Sequence, residues 1–390
     1  MIDSLQNTIR DAMRLMQGGD LAAATAAIQE GLGGTATPVP CSGAEAEAGL
    51  QAAPLDGEFR IVSERIIDAP VARSSNETRM RDAAPSAVAQ FQTRSYSCPA
   101  GTRAYKLFIP GSYRGQPMPL IVMLHGCTQT PDDFARGTRM NELAEIEGCL
   151  VAYPAQAQSH NYSKCWNWFK SADQQRDAGE PAIIAGITRE LLDEFGLDAS
   201  RVYIAGLSAG AAMAVVMGRV YPDLYAAVGV HSGLPYAGAH DLPSAIAAMN
   251  RRATHGAGST HACSPEGGRC AMIPTIVFHG DRDTTVSLFN GERVIVESVA
   301  GAALQRSHAD VAPTAKVEVE RGTATGGREF TRTIYCDDGD AVLAEQWVIH
   351  GSGHAWSGGD AGASYTDPSG PDASAEMLRF FSNYVVRANS

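Results

Sequence analysis

Short apolar runs alternate with helix-period segments from Ser95 onward. Runs of this length that are apolar on both faces are typical of strands in a parallel sheet covered by helices. The predicted strands span residues 105–109, 120–124, 150–153, 202–205, 227–230, 275–278 and 342–349, and the predicted helices span residues 181–195, 209–220 and 373–386. The alternation predicts an α/β domain over 95–390, with a mostly parallel central sheet flanked by helices.

The preceding residues follow a different pattern. Apolar positions in residues 1–16 fall on one helical face, and glycines separate this helix from a second one at 21–32, which predicts a helical hairpin over 1–34 as an N-terminal extension. Asp3 and Arg10 interrupt the apolar stretch that a secretory signal requires. Segment 35–94 is rich in Ala, Pro, Ser and Glu, and we interpret it as a linker with one candidate strand at 59–67. For the hairpin, intramolecular packing or a homodimer contact is favoured over recruitment of a partner.

Composition excludes several classes of function. Asp and Glu number 43 against 31 Lys and Arg, a net charge of −12, and the basic residues are scattered. Nucleic acids and anionic membranes need a clustered positive field, so neither is expected as a partner. No apolar run reaches the roughly 18 residues of a membrane span.

The sharpest chemical signal is the motif Gly-Leu-Ser-Ala-Gly at 206–210, which lies between a predicted strand and a predicted helix. In this context G-x-S-x-G places a serine on a tight strand-to-helix turn, clear of the sheet. We therefore predict Ser208 as a nucleophile, with the N–H group of Ala209 at the helix start as an oxyanion donor. The alternative is a glycine-rich packing turn.

A serine nucleophile needs a general base and an acid that orients it, and in this architecture both come later in the chain. Asp281 and Asp283 follow the predicted strand at 275–278, and we prefer Asp283 because it lies deeper in the loop. His354 lies in the glycine-rich loop after the strand at 342–349 and is the predicted base, whereas His350 is still at the strand end.

The loop after the strand at 120–124 is expected to supply the second oxyanion donor, the N–H group of Cys127. Cys127 has no base motif near it, so a disulfide to Cys165 is preferred over a nucleophilic role. No metal or organic cofactor is expected. His255, His261, Cys263 and Cys270 lack the paired short spacings of zinc sites, and the two cysteines are better explained as a small disulfide loop.

The pairing of the other four cysteines, Cys41, Cys98, Cys149 and Cys336, is left open. A cysteine-rich chain with disulfides suits an extracellular or periplasmic location, whereas the N-terminal segment shows no export signal. The compartment is therefore left open as well.

Aromatic residues give the only indication of substrate. Trp166 lies in a cluster with Trp168 and Phe169, and Trp356 is two residues from His354. Aromatic walls suit apolar acyl chains or rings, so Trp166 and Trp356 are predicted to contact substrate. The alternative is a core position, which is equally favoured for Trp168 and Phe169.

Several motifs in order resemble the poly(3-hydroxybutyrate) depolymerase family of esterases. They are LHGCTQ at 124–129, CWNWF at 165–169, GEPAIIAGITR at 179–189, GLSAG at 206–210, FHGDRDTTV at 278–286 and GSGHAWSGG at 351–359. The resemblance covers roughly 95–385 and implies an α/β-hydrolase fold. It also implies a nucleophile at Ser208, an acid at Asp283 and a base at His354.

The family includes esterases that act on polyhydroxyalkanoates and relatives that act on feruloyl or acetyl esters of plant polysaccharides. The resemblance therefore implies a serine esterase for polyesters or their oligomers, with a carbohydrate esterase as the alternative. In this family, the resemblance implies that members attacking crystalline polymer have a catalytic domain joined to a separate binding domain. No such module follows the motifs here, so amorphous polymer or soluble oligomers are favoured as substrates. A non-catalytic granule- or protein-binding role is the second alternative.

Overall fold

The computed structural model describes residues 59–68, 88–250, 273–306 and 315–386, which all lie within one compact unit, Leu55–Ser390. The strands of its central sheet are β1 (Phe59–Asp68), β2 (Gln90–Cys98), β3 (Gly101–Ile109), β4 (Leu120–Leu124), β5 (Leu150–Pro154), β6 (Val202–Leu207), β7 (Ala227–His231), β8 (Thr275–Gly280), β9 (Ala315–Thr323), β10 (Glu329–Cys336) and β11 (Val342–Ile349). They are ordered β1-β9-β10-β11-β8-β7-β6-β4-β5-β3-β2.

Helices flank this sheet. They are α1 (Pro131–Thr138), α2 (Met140–Glu147), α3 (Gly179–Phe195), α4 (Ala209–Val220), α5 (Leu242–Met249), α6 (Leu288–Arg306) and α7 (Ala373–Phe381). A separate two-stranded sheet is formed by β12 (Trp356–Ser357) and β13 (Thr366–Asp367). No helix in the described ranges is both long enough and apolar enough to span a bilayer.

The middle of the sheet is parallel, as the sequence predicts. β5, β4, β6, β7, β8 and β11 pair in parallel, and antiparallel strands are added on both sides. Every residue of β4 and of β6 is buried, because helices cover both faces of the sheet. Parallel strands end at one edge, so the loops after β4, β6, β7, β8 and β11 meet there.

The sheet extends into the segment that the sequence assigns to a linker. The candidate strand at 59–67 is present as β1, which pairs in parallel with β9. β2 begins at Gln90, before the expected domain start at 95. The hairpin expected at 1–34, Cys41, and the disulfide loop expected at Cys263 and Cys270 lie outside the described residues.

The predicted C-terminal helix is shorter than the range 373–386, because α7 ends at Phe381. After it the chain docks on the body of the domain instead of continuing the helix. The hydroxyl of Tyr384 donates to the carbonyl of Val342, and the N–H group of Val386 donates to the carbonyl of Ser200. Between them and the helix, the N–H groups of Asn383 and Tyr384 bond to carbonyls three residues back, so the helix ends in tight turns.

Candidate active site

Ser208 lies in the tight turn between β6 and α4, and its backbone has φ 56° and ψ −120°, a conformation that non-glycine residues rarely adopt. Glycines on both sides make the turn sterically feasible. A Cβ atom on Gly210 would clash with the carbonyl oxygen of Leu124, and one on Gly206 would clash with the backbone of Gly210. The motif therefore provides the strained strand-to-helix turn that is typical of G-x-S-x-G, with Ser208 at the sheet edge.

The structure brings Asp283 and His354 together, from the loops after β8 and β11. Nδ1 of His354 is 2.6 Å from Oδ2 of Asp283, whose side chain is fully buried. Burial alone would raise the pKa of Asp283, but hydrogen bonds from His279 and His354 hold it well below its ordinary value. The carboxylate can only accept hydrogen bonds, so Nδ1 of His354 carries the proton and Nε2 has the lone pair that a general base needs.

The other oxygen of Asp283 is also fixed. Its Oδ1 atom accepts the N–H groups of Thr285 at 2.9 Å and Val286 at 2.8 Å. Because backbone donors hold one oxygen, the second oxygen has a defined direction toward His354.

The two alternative residues pair with each other. Oδ2 of Asp281 is 2.9 Å from Nδ1 of His350, and Oδ1 of Asp281 accepts the N–H group of Gly351 at 2.7 Å. Both side chains are about one-third exposed. Nε2 of His350 lies 2.9 Å from the hydroxyl of Thr331, which places this imidazole against β10. The Asp281–His350 pair therefore joins the two loops that carry Asp283 and His354.

His279, near the end of β8, also contacts Asp283. Its Nε2 atom donates to the carbonyl of Val286 at 2.8 Å and lies 3.4 Å from Oδ2 of Asp283. The imidazole is fully buried, and its Nδ1 atom has no hydrogen-bond partner within the described ranges. Two imidazoles therefore share one carboxylate.

The sequence analysis did not single out His231, the last residue of β7. Its carbonyl accepts the N–H group of Ser208 at 2.9 Å, and its Nε2 atom accepts the N–H group of Ser357 at 3.0 Å. Burial lowers the pKa of His231 to about 3, so the ring is neutral and can act as this acceptor. His231 thereby connects the Ser208 turn to the loop that carries His354. Its position at the carboxyl end of a strand was the available signal.

Cys127 and Ala209, the predicted oxyanion donors, lie after β4 and at the start of α4. The Cys127–Cys165 disulfide is present, as predicted. Within the described ranges, neither backbone N–H group donates to another group of the chain. His125 supports this loop from beneath: its Nδ1 atom contacts the carbonyl of Gly126 at 2.7 Å, and its Nε2 atom accepts the N–H group of Gln156 at 3.0 Å.

Both tryptophans that were predicted to contact substrate are core residues in the structure. The exposed fraction is 0% for Trp166 and 1% for Trp356, so neither ring presents a surface to a ligand. Nε1 of Trp166 donates to the carbonyl of His125 at 3.1 Å, and Trp356 stacks on the imidazole of His231. Each ring supports a loop of the site, and the aromatic cluster in the sequence reflects packing.

A buried carboxylate holds the segment that contains Trp166. Glu180, at the start of α3, accepts the backbone and side-chain N–H groups of Asn167, each at 2.8 Å, and an N–H group of Gln156 at 2.5 Å. Burial raises the pKa of Glu180 despite these donors. The guanidinium of Arg103 lies 3.5 Å from it. This cluster fixes the chain that the disulfide joins to residues 125–129, the loop after β4, which we call the oxyanion loop after its predicted role.

The described residues contain no group of three or more His, Cys, Asp or Glu side chains arranged to hold a metal ion. Of the cysteines in those ranges, Cys98, Cys149 and Cys336 are free. The residues weighed as a zinc site, His255, His261, Cys263 and Cys270, are outside the described ranges.

Removal of the disulfide should affect both stability and catalysis. It closes a sequence separation of 38 residues, for which loop entropy predicts a loss of about 3–4 kcal/mol of unfolding free energy. We expect the C127A/C165A double variant to show that loss in urea unfolding. We also expect kcat for p-nitrophenyl butyrate to fall about tenfold, because an oxyanion donor contributes about 3–4 kcal/mol and is only displaced here.

The matched control is Cys98→Ala, which removes a free thiol on β2 and should leave both measurements unchanged. A folded double variant with the kcat of the wild type would show that the disulfide does not position the oxyanion loop.

Comparisons with known proteins identify the family of the chain. The family described as esterase PHB depolymerase matches residues 103–306, just over half of the chain. A poly(3-hydroxyalkanoate) depolymerase C from Paucimonas lemoignei is 32% identical over 239 residues, which cover 60% of this chain and 54% of that protein. A probable acetylxylan esterase A from Aspergillus fumigatus is 31% identical over 202 residues, or 49% of this chain and 52% of that protein. The chain thus spans about half the length of these curated relatives.

Among solved structures, an acetyl xylan esterase from Aspergillus awamori superimposes with a TM-score of 0.54 at 21% identity. The match covers 76% of this chain and 99% of that one, and it shows a shared α/β-hydrolase fold. With the family match extending from β3 to the end of α6, the chain belongs to the esterase family of PHB depolymerases.

Proposed function

We propose that the protein is a serine esterase that hydrolyses ester bonds of poly(3-hydroxybutyrate)-type polyesters or their oligomers. The observation that carries the proposal is the buried contact of 2.6 Å between His354 and Asp283, at the same sheet edge as the strained turn of Ser208. A serine in a strained turn and an imidazole fixed by a carboxylate are the parts that acyl transfer requires.

In the proposed reaction, Nε2 of His354 takes the proton of Ser208 as its Oγ atom attacks the ester carbonyl. Asp283 holds the imidazole with its proton on Nδ1 and stabilises the imidazolium that forms. His354 then protonates the leaving alkoxide, which gives an acyl-enzyme. The same imidazole next activates a water molecule, which releases the acid and restores Ser208.

The developing oxyanion would be bound by the backbone N–H groups of Cys127 and Ala209. The N–H group of Ala209 lies in the first turn of α4, where backbone donors lack partners within the helix and the helix dipole favours negative charge. The disulfide and His125 hold the N–H group of Cys127 in place before substrate arrives. A preorganised pair of donors lowers the barrier because it needs no rearrangement during the reaction.

A carbohydrate esterase is the second candidate, because acetylxylan esterases are similar to this chain over half its length. A feruloyl esterase B from Neurospora crassa is also 32% identical, over 142 residues. Both chemistries would use the same nucleophile, base and acid. The two candidate functions therefore differ only in the substrate that the surface around Ser208 would accept.

Clearing of an amorphous poly(3-hydroxybutyrate) suspension tests the polyester proposal, with Ser208→Ala as the control. We expect clearing by the wild type alone. Hydrolysis of p-nitrophenyl butyrate without clearing, together with rapid hydrolysis of methyl ferulate or acetylated xylan, would support the carbohydrate esterase instead. If the folded wild type neither clears the suspension nor hydrolyses any of these esters, both candidate functions are contradicted.

A further inference from the structure

Tyr365 connects the loop that carries the base with the loop that carries an oxyanion donor. It immediately precedes β13, and its carbonyl accepts the N–H group of Trp356 at 2.7 Å, two residues after His354. Its hydroxyl lies 3.2 Å from Oγ1 of Thr128, the residue after Cys127. The side chain therefore extends from the His354 loop to the oxyanion loop.

These contacts belong to a closed circuit of contacts around Ser208. The Ser208 turn bonds to His231, His231 bonds to Ser357, and β12, which contains Ser357, pairs with β13 beside Tyr365. Tyr365 then reaches the oxyanion loop, which packs back on the Ser208 turn: a Cβ atom on Gly126 would lie 3.5 Å from the carbonyl oxygen of Leu207. Within this circuit of contacts, Tyr365 contributes a large aromatic ring that solvent can reach, because the residue is 39% exposed.

The backbone at both ends of the Tyr365–Thr128 contact is unusual. Tyr365 has φ 54° and Thr128 has φ 67°, although neither residue is glycine. Bulky and β-branched residues avoid this region, and such conformations persist where the surroundings enforce them. Ser364 adds a second contact to the same loop, because its carbonyl accepts an N–H group of Gln129 at 3.1 Å. The ring is thus held rigidly beside the proposed oxyanion site.

An exposed, rigid aromatic ring at this place offers apolar contact area at a low cost in side-chain entropy. A second exposed aromatic residue, Tyr162, precedes Ser163, whose carbonyl accepts the N–H group of Thr128 at 2.7 Å. The segments that carry the two tyrosines therefore both contact Thr128.

We infer that Tyr365 is a specificity-determining residue: its ring forms the wall of the ester site between the oxyanion loop and the His354 loop, against which the aliphatic chain of an oligomeric ester packs. This inference rests on the proposed esterase function. The sequence predicted that Trp166 and Trp356 make the aromatic contact with substrate. The inference gives this contact to Tyr365 instead, because its ring is accessible.

The test compares kcat/KM for two esters in the full-length wild type, Tyr365→Ala and Tyr365→Phe. p-Nitrophenyl acetate needs only the reacting groups, whereas the 3-hydroxybutyrate trimer methyl ester also needs the wall. We expect Tyr365→Ala to lose about tenfold on the trimer, because one or two methylene contacts contribute that much, and at most about twofold on the acetate. Tyr365→Phe keeps the ring and should stay within about twofold on both.

Phe91→Ala is the matched control, because Phe91 has an exposed fraction of 38% on β2, at the far edge of the sheet. Equal losses on both esters in Tyr365→Ala would overturn the inference and indicate that Tyr365 only supports the oxyanion loop. No loss on either ester would also overturn the inference. Hydrolysis of the acetate but not the trimer by the wild type would overturn it together with the polyester substrate. A wild type inactive on both esters would contradict the esterase function itself.

Discussion

Replacement of Ser208 by alanine is expected to lower kcat for p-nitrophenyl butyrate by at least about 10⁴-fold, because removal of a serine nucleophile leaves only binding and oxyanion stabilisation. The turn should survive the change. Alanine has the same Cβ atom as serine, and the neighbouring glycines that relieve crowding are untouched. We therefore expect the urea midpoint to stay within the error of the wild type.

Labelling by a fluorophosphonate provides an independent measurement of the same residue. The wild type should be labelled at Ser208, and Ser208→Ala should not be labelled. Ser159→Ala, which removes an exposed serine, should keep full labelling and activity. Labelling that persists in a folded Ser208→Ala protein would place the nucleophile elsewhere, and absence of labelling in the wild type would favour a non-catalytic role.

The site elements that the sequence predicts are those defined by local rules. The Ser208 turn needs glycines at 206 and 210 for steric reasons that act within a few residues, so its motif is readable without the fold. The buried parallel strands β4 and β6 are continuous apolar runs. Their order along the chain then places the loops after β8 and β11 at the same edge as Ser208.

Other strands were not predicted from the apolar runs because they are only half buried. β9 alternates charged residues with apolar ones over most of its length, three consecutive polar residues (Thr331, Arg332 and Thr333) interrupt β10, and β2 is exposed at every second position. A search for continuous apolar runs misses such strands. The parallel pairing of β1 with β9 joins Phe59 to Ala315, a separation that no local pattern encodes.

The roles of individual side chains depend on the same long-range contacts. Trp166 and Trp356 are near predicted site residues in the sequence, yet both rings are buried. Trp166 donates to the carbonyl of His125, and Trp356 stacks on the imidazole of His231. Sequence proximity to a catalytic residue therefore does not imply contact with substrate. The accessible ring belongs to Tyr365, whose sequence context is polar and gives no such indication.

The hydrogen-bond partners of Asp283 and Asp281 favour Asp283 as the acid that orients His354. Asp283 is buried between two imidazoles and two backbone N–H groups, whereas Asp281 pairs with the partly exposed His350 and one backbone N–H group. Amide substitution at the two positions should therefore have very different consequences. We expect Asp283→Asn to lower kcat for p-nitrophenyl butyrate about 10⁴-fold and Asp281→Asn to lower it less than about tenfold.

The size of the first effect follows from the hydrogen bonds. In Asp283→Asn, the amide oxygen retains the N–H groups of Thr285 and Val286, so the amide nitrogen must face His354. Its N–H group donates to Nδ1 and moves the imidazole proton to Nε2, where no lone pair remains to accept the proton of Ser208. The variant should fold and still be much slower.

His350 tolerates the corresponding change. An amide at 281 also reverses the proton on Nδ1, but Nε2 of His350 contacts the hydroxyl of Thr331, which can accept a hydrogen bond as well as donate one. The contact between the two loops is therefore retained. Measurement of kcat and urea unfolding for both variants separates the two assignments, and a larger loss of kcat in a folded Asp281→Asn than in Asp283→Asn would make Asp281 the orienting acid.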